Sequence, residues 1–283
     1  MEKLKKYDKY DVADIAVKTI MIMVCVISIV ALVLPSLLVV VMSFNSGEFI
    51  TFPPQGFSLR WYKTMIDSWE IKKAAMVSIN AACIVTFIDI LLGVPAAWVL
   101  VRCQFRGREL LNSFILSPLM LPGMIIGIGI LFFFSLMGFS ISYEMMILSH
   151  VVVTVPYTVR LTVSRLINLN PTLEEASKNL GANSTQTFLH IVLPKLIGGI
   201  VAGAAFSFLM SFDNLTVSLF TSSINERPLP LEVFYLLRYD INPVVAAIST
   251  VEIVLATSVL IIGSSLGGGA VALTGSTPKE QKK

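Results

Sequence analysis

The sequence predicts an all-α, polytopic membrane protein with six transmembrane helices. Three observations carry this. Of 283 residues, 55% are hydrophobic and only 14% charged, where a soluble domain carries roughly a quarter charged residues. The charges divide the chain into apolar blocks, two of which, 19–47 and 110–143, have none. The basic residues also cluster in alternate connections. A soluble enzyme, a disordered chain and a nucleic-acid binder are excluded. The net charge of +3 is too small to imply a polyanionic partner.

About 20 apolar residues cross the hydrocarbon core. The expected spans are 20–43, 78–100, 112–136, 143–164, 197–220 and 244–266. They are helices, because a lipid-exposed backbone must satisfy its own hydrogen bonds. The blocks are too long and too uniformly apolar for the strands of a membrane β-barrel. Residues 1–19 precede the first span, which reads as an uncleaved helix 20–43 rather than a secretory leader. Residues 44–73 form an external loop. Within it Trp61, Tyr62, Met65, Ile66 and Trp69 have the spacing of a short amphipathic helix, expected at the headgroup level. Residues 74–270 form the core, with a loop at 166–195, and 271–283 are a tail.

Basic residues set the orientation. Lys3, Lys5, Lys6, Lys9, Lys18, Arg102, Arg106, Arg108, Arg160, Arg165, Lys178, Lys195, Lys279, Lys282 and Lys283 fall on one side. Only Arg60, Lys63, Lys72, Lys73, Arg227 and Arg238 fall on the other. Both termini are therefore expected in the cytoplasm. Cys25, Cys83 and Cys103 lack metal-ligand spacing and read as small hydrophobes. No P-loop, HExxH or other catalytic or metal motif is present, so no enzymatic site is expected in this chain.

The loop 166–195 has helix grammar of its own. Asn170 is placed to cap a helix, Pro171 suits its first turn, and Glu174 and Glu175 suit the positive end of its dipole. Leu173, Ala176 and Leu180 make one apolar stripe. Gly181 is a stop signal. Asn183 and Gln186 have the spacing of a capping box for a second helix, which is expected to end near Pro194. This helix–Gly–helix hairpin is a small, part-apolar protrusion suited to docking.

Glu175-Ala176-Ser177, then three residues, Gly181, nine residues, Ile191, one residue and Leu193-Pro194 resembles the EAA loop of the membrane subunits of binding-protein-dependent ABC importers. The family pattern is E-A-A-x3-G-x9-I-x-L-P, and Ser177 is the one departure. The resemblance implies the type I ABC importer permease architecture in a bacterial cytoplasmic (inner) membrane. It implies that Glu174, Glu175, Ala176, Gly181, Ile191, Leu193 and Pro194 belong to a coupling loop docking on a cytoplasmic ATPase. It also implies the partners: a second permease subunit, two ATPase subunits and an extracytoplasmic solute-binding protein. ATP and Mg would be held by the ATPase, and this chain would carry no cofactor.

Arg60-Trp61-Tyr62, Ser78-x-Asn80, Pro156-Tyr157 and Arg160 also fit the family. Phe206-x5-Phe212-Asp213-Asn214, Leu229-Pro230-Leu231-x3-Tyr235 and Asn242-Pro243 resemble the spermidine/putrescine permeases, which usually have an acidic pair where this chain has Asp213-Asn214.

Charge placement gives an independent pointer to cargo. An ionisable group in the hydrocarbon core costs roughly 2.5–3.5 kcal/mol on insertion scales. Asp89, Glu144, Asp213 and Glu252, in or at the ends of spans, are all acids, which suits a cation. Asp213, Glu252, Asp89, Asn214 and Tyr235 are the candidate path residues. Each also has a structural reading. Asp89 has Asn80 and Thr86 near it as helix neighbours, and His150 can be a satisfied interior histidine. Gly123-x3-Gly127, Gly129 and Gly199-x3-Gly203 are small-residue packing faces. An ABC permease for iron, thiamine, sulfate or phosphonate, or an ion-coupled secondary transporter, is the alternative.

Overall fold

The computed structural model describes residues 2–49, 51–239 and 243–266, with side chains from residue 14 onward. The side chains of Lys3, Lys5, Lys6 and Lys9, together with Asn242 and the predicted tail 271–283, lie outside these residues. Two compact units fall within residues 1–65 and 241–253, and within 66–240 and 254–283.

The first unit begins with α1, Glu2–Ser43. From Asp14 onward it is apolar enough to span a membrane, and its side chains are almost entirely exposed. That exposure fits a helix solvated by lipid. The loop after α1 is ordered around Asn45. Its side-chain oxygen accepts from the backbone of Gly47 and Gln55, and its amide donates to the Phe49 carbonyl. A short α2, Arg60–Asp67, closes the loop. The Trp61 indole donates to the Asn45 carbonyl at 2.8 Å, and Tyr62 meets the Ser43 hydroxyl at 2.7 Å. Trp61 is 5% exposed. The predicted short helix exists, but Trp61 is an internal bracket and not a headgroup anchor. The reason is that its one polar atom finds a backbone carbonyl within its own loop.

The second unit is built on α3 (Trp69–Arg102), α6 (Tyr143–Ile167) and α9 (Leu193–Phe212). Ser68 caps α3, so the helix starts nine residues before the expected span. Ala81 and Val85 pack on Met146, Ile147 and Val151 toward one end, and Leu166, Val192 and Leu196 pack together toward the other. Glycines set the spacing. A Cβ on Gly203 would stand 3.0 Å from the Thr158 Cα, and one on Gly199 would stand 2.8 Å from the Arg165 Cβ. Gly203→Val is therefore expected to force α9 off α6, costing about 1–3 kcal/mol by overpacking. The yield and melting temperature of the detergent-extracted protein would fall. Gly129→Ala, with nothing within 4 Å of the new methyl, would leave both unchanged.

Two expected spans are broken. Residues 112–136 are not one helix. α4 (Arg108–Leu116) runs into a 3-10 turn, Ser117–Met120, and α5 (Gly123–Leu136) leaves at 110° to it. Pro122 is the cause, while Ser117 before Pro118 stays helical (φ −57°, ψ −34°). A proline donates no N–H and pushes its predecessor to an extended backbone, as at Leu121 (φ −97°, ψ 140°). Residues 197–220 are also split. α9 stops at Phe212, and α10 (Leu215–Thr221) restarts after Asn214, whose side chain accepts from the Val217 N–H. α11 (Leu229–Tyr239) and α12 (Val244–Leu266) follow. Five described helices are long and apolar enough to span, or six with the bent pair as one.

Candidate functional site: the coupling hairpin and the polar centre

The loop 166–195 folds as a hairpin with unequal arms. The first arm is α7, Thr172–Asn179. Asn170 accepts from the Thr172 N–H at 3.1 Å. Gly181 ends the arm at φ +91°, a backbone conformation that disfavours any side chain. Gly181 N–H donates to the Lys178 carbonyl and Ala182 N–H to the Ser177 carbonyl, which satisfies the last turn. The second arm, α8 (Ser184–Thr187), starts with the expected reciprocal capping box of Asn183 and Gln186.

That second arm does not end near Pro194. It passes through a π turn, Phe188–Val192, directly into α9. Pro194 sits in the first turn of α9, where its missing N–H falls at the seam with the wider π turn. The hairpin is therefore continuous with the fifth span. The Ser177 and Thr187 hydroxyls, 3.2 Å apart, tie the arms together. This gives a use to the one residue that departs from the family pattern.

The face that α7 buries is not its apolar stripe. Leu173 is 40% exposed, Leu180 is 90% exposed, and Ala176 is exposed between them. Glu174 is buried instead. Arg102, the last residue of α3, donates to it through Nε at 2.7 Å, with both side chains largely covered. The same guanidinium donates to the carbonyls of Leu166 and Leu169. Arg102 thus joins the ends of α3 and α6 to α7. Glu174 is an internal strut, whereas Glu175 and Pro194 are exposed and Ile191 and Leu193 are half-buried. In the sequence Arg102 reads only as a charge that sets topology.

The polar centre lies among α3, α6, α9 and α10. Asp89 is fully buried, and the Ser207 hydroxyl donates to its Oδ2. Neither Asn80 nor Thr86 supplies that partner. Its Oδ1 has no partner among the described residues. His150, 1% exposed, meets Ser211 at 3.0 Å through Nδ1 and Ser218 at 2.9 Å through Nε2. Ser211 is on α9 and Ser218 on α10, so this histidine brackets the break in the fifth span. A Cβ on Gly127 would stand 3.3 Å from the Val217 Cα, and one on Gly123 would stand 2.6 Å from the Thr216 hydroxyl. Those glycines seat α5 against α10.

The candidate path residues separate accordingly. Asp89 and Asn214 are committed to internal packing and capping. Asp213, at the C-terminal end of α9, has an exposed side chain. Tyr235 is half-buried on α11, with the Arg227 guanidinium 4.9 Å above its ring, and Glu252 is half-buried on α12. Among the described residues no cluster of three His, Cys, Asp or Glu side chains could hold a metal.

Residues 89–269 match the family described as binding-protein-dependent transport system inner membrane component. The chain is 30% identical over 236 residues to the spermidine/putrescine transport system permease protein PotC of Escherichia coli K12, covering 83% of this chain and 88% of that protein. It is 32% identical over 226 residues to the putrescine transport system permease protein PotI of the same organism, covering 77% and 80%. The fold is similar to that of a bacterial ABC transporter involved in import of the acidic polysaccharide alginate. That match has a TM-score of 0.68 at 16% identity and covers 88% of this chain and 96% of that one. The chain belongs to the family of binding-protein-dependent transport system inner membrane components, and it is a multi-pass permease subunit of an ABC importer.

Proposed function

We propose that this permease forms the translocation path for a polyamine, spermidine or putrescine. The observation that carries the reading is the exposed acid at the break in the fifth span. Asp213 offers a carboxylate where α9 stops, and Glu144 and Glu252, also at span level, have the same sign. A linear polyammonium needs such acceptors, and an anionic cargo would be repelled by them. The alignment with PotC and PotI supports the same class. Both termini face the cytoplasm on the distribution of basic residues. A second permease subunit completes the path, and a solute-binding protein delivers cargo outside. Two ATPase subunits holding ATP and Mg dock on the exposed Leu173–Ala176–Leu180 stripe and Glu175.

The test is ATP-driven uptake of labelled spermidine and putrescine into proteoliposomes carrying the assembled transporter. Asp213→Asn is expected to lower uptake at least about tenfold, in line with loss of a charge-assisted contact of 1.5–3 kcal/mol. Unchanged uptake would make Asp213 structural. Uptake that persists without ATP and collapses with a protonophore would sink the ABC assignment.

A further inference from the structure

We infer that the cavity between the ends of α6, α9 and α12 is a binding site for the headgroup of an anionic phospholipid of the cytoplasmic leaflet. The inference rests on the orientation proposed above. The cavity measures about 510 Å³ and takes lining residues from each of the three helix ends. Arg165, in the last turn of α6, and Lys195, in the first turn of α9, supply two cations, and Asn168 adds an amide.

Among the described residues neither cation pairs with a carboxylate. The Arg165 Cβ and Cγ lie close against Gly199, where an added Cβ would stand 2.8 Å and 3.3 Å from them, so the root of this side chain is fixed on α9. The other wall is apolar: Ile197 is 49% and Leu266 65% exposed, both on helices apolar enough to span. Two cations with no carboxylate partner among the described residues, above an exposed apolar wall, match a phosphodiester carrying acyl chains. A free phosphate would use the cations and leave that wall in water. Basic pockets between transmembrane helices on the cytoplasmic side are suited to anionic headgroups, and each cation near the surface contributes about fivefold in affinity.

The experiment uses the complete transporter, purified with its partner subunits in nanodiscs of phosphatidylglycerol and phosphatidylethanolamine. Native mass spectrometry then reads the lipid retained. Retained phosphatidylglycerol is expected for the unaltered protein. Retention about thirtyfold weaker is expected for Arg165→Gln/Lys195→Gln, with recovery in the charge-keeping Arg165→Lys/Lys195→Arg. Equal retention by all three overturns the site. Displacement of the lipid by excess inorganic phosphate overturns it in favour of a phosphate site. Loss of the ATPase subunits from the glutamine variant, with lipid still held, reassigns the cations to a protein contact. A Lys195→Cys variant labelled on intact cells by an impermeant maleimide would instead overturn the orientation, independently of lipid retention.

Discussion

Gly181→Pro is expected to abolish ATP-driven uptake and stimulation of the ATPase while the protein still inserts in the membrane. The residue stands at φ +91° and donates its N–H to the Lys178 carbonyl. Proline holds φ near −65° and has no N–H, so both features are lost. The hairpin turn must then reopen, and the exposed stripe of α7 loses its fixed position. A graded series makes the argument specific. Nothing lies within 4 Å of a Cβ at Gly181, so Gly181→Ala carries only the backbone penalty of about 1–2 kcal/mol. It should keep most of the activity. Gly181→Asn, a residue that tolerates this conformation, should do as well or better. If proline at this position transports normally, the hairpin is not the coupling element. Glu175→Lys is the matching test of the surface, because its side chain is exposed and reversal should spare the fold.

Arg102→Ala is expected to have the second large effect. It leaves the Glu174 carboxylate largely covered without its cation, and the Leu166 and Leu169 carbonyls without a donor. Removing one partner of a buried ion pair costs about 3–5 kcal/mol, here toward the lower end because both side chains keep some exposure. ATPase subunits should co-purify weakly, and uptake should fall more than tenfold. The geometry also predicts which rescue fails. In Arg102→Glu/Glu174→Arg the pair is restored in sign, yet a carboxylate now faces two carbonyls. Uptake should stay low. Arg102→Lys should give partial function, since a point charge cannot reach three acceptors as a planar fork does. Full recovery in the swap would reduce the site to a simple ion pair.

Much of this was legible in the sequence for a physical reason. Span count and the helix–Gly–helix hairpin are written in local signals: uninterrupted apolar length, Asn183 three residues before Gln186, Gly181 after an amphipathic turn. Other features depend on partners distant in sequence. Arg102 and Glu174 are 72 residues apart and Asp89 and Ser207 are 118 apart, and no periodicity announces either pair. The breaks at Pro122 and Asn214 do carry local signals. They were outweighed by hydropathy, which measures whether a segment prefers lipid and is silent on whether its backbone stays straight. Asn214 shows the hazard most plainly. In the sequence it stands where a second acid is usual, whereas in the structure it starts a helix.

The continuity of the hairpin's second arm with the fifth span has a mechanical consequence. Ser184–Phe212 is a single stretch of 29 residues, about 43 Å long at 1.5 Å per residue. One end lies in the hairpin and the other stops beside Asp213. Such an element behaves as a lever whose one weak point is the π turn and the Pro194 seam. A rotation of roughly 10° imposed at the inner end would carry the outer end through about 7.5 Å over that length. Work done on the hairpin would therefore reach the acid at the far end as displacement, amplified by the length of the arm alone.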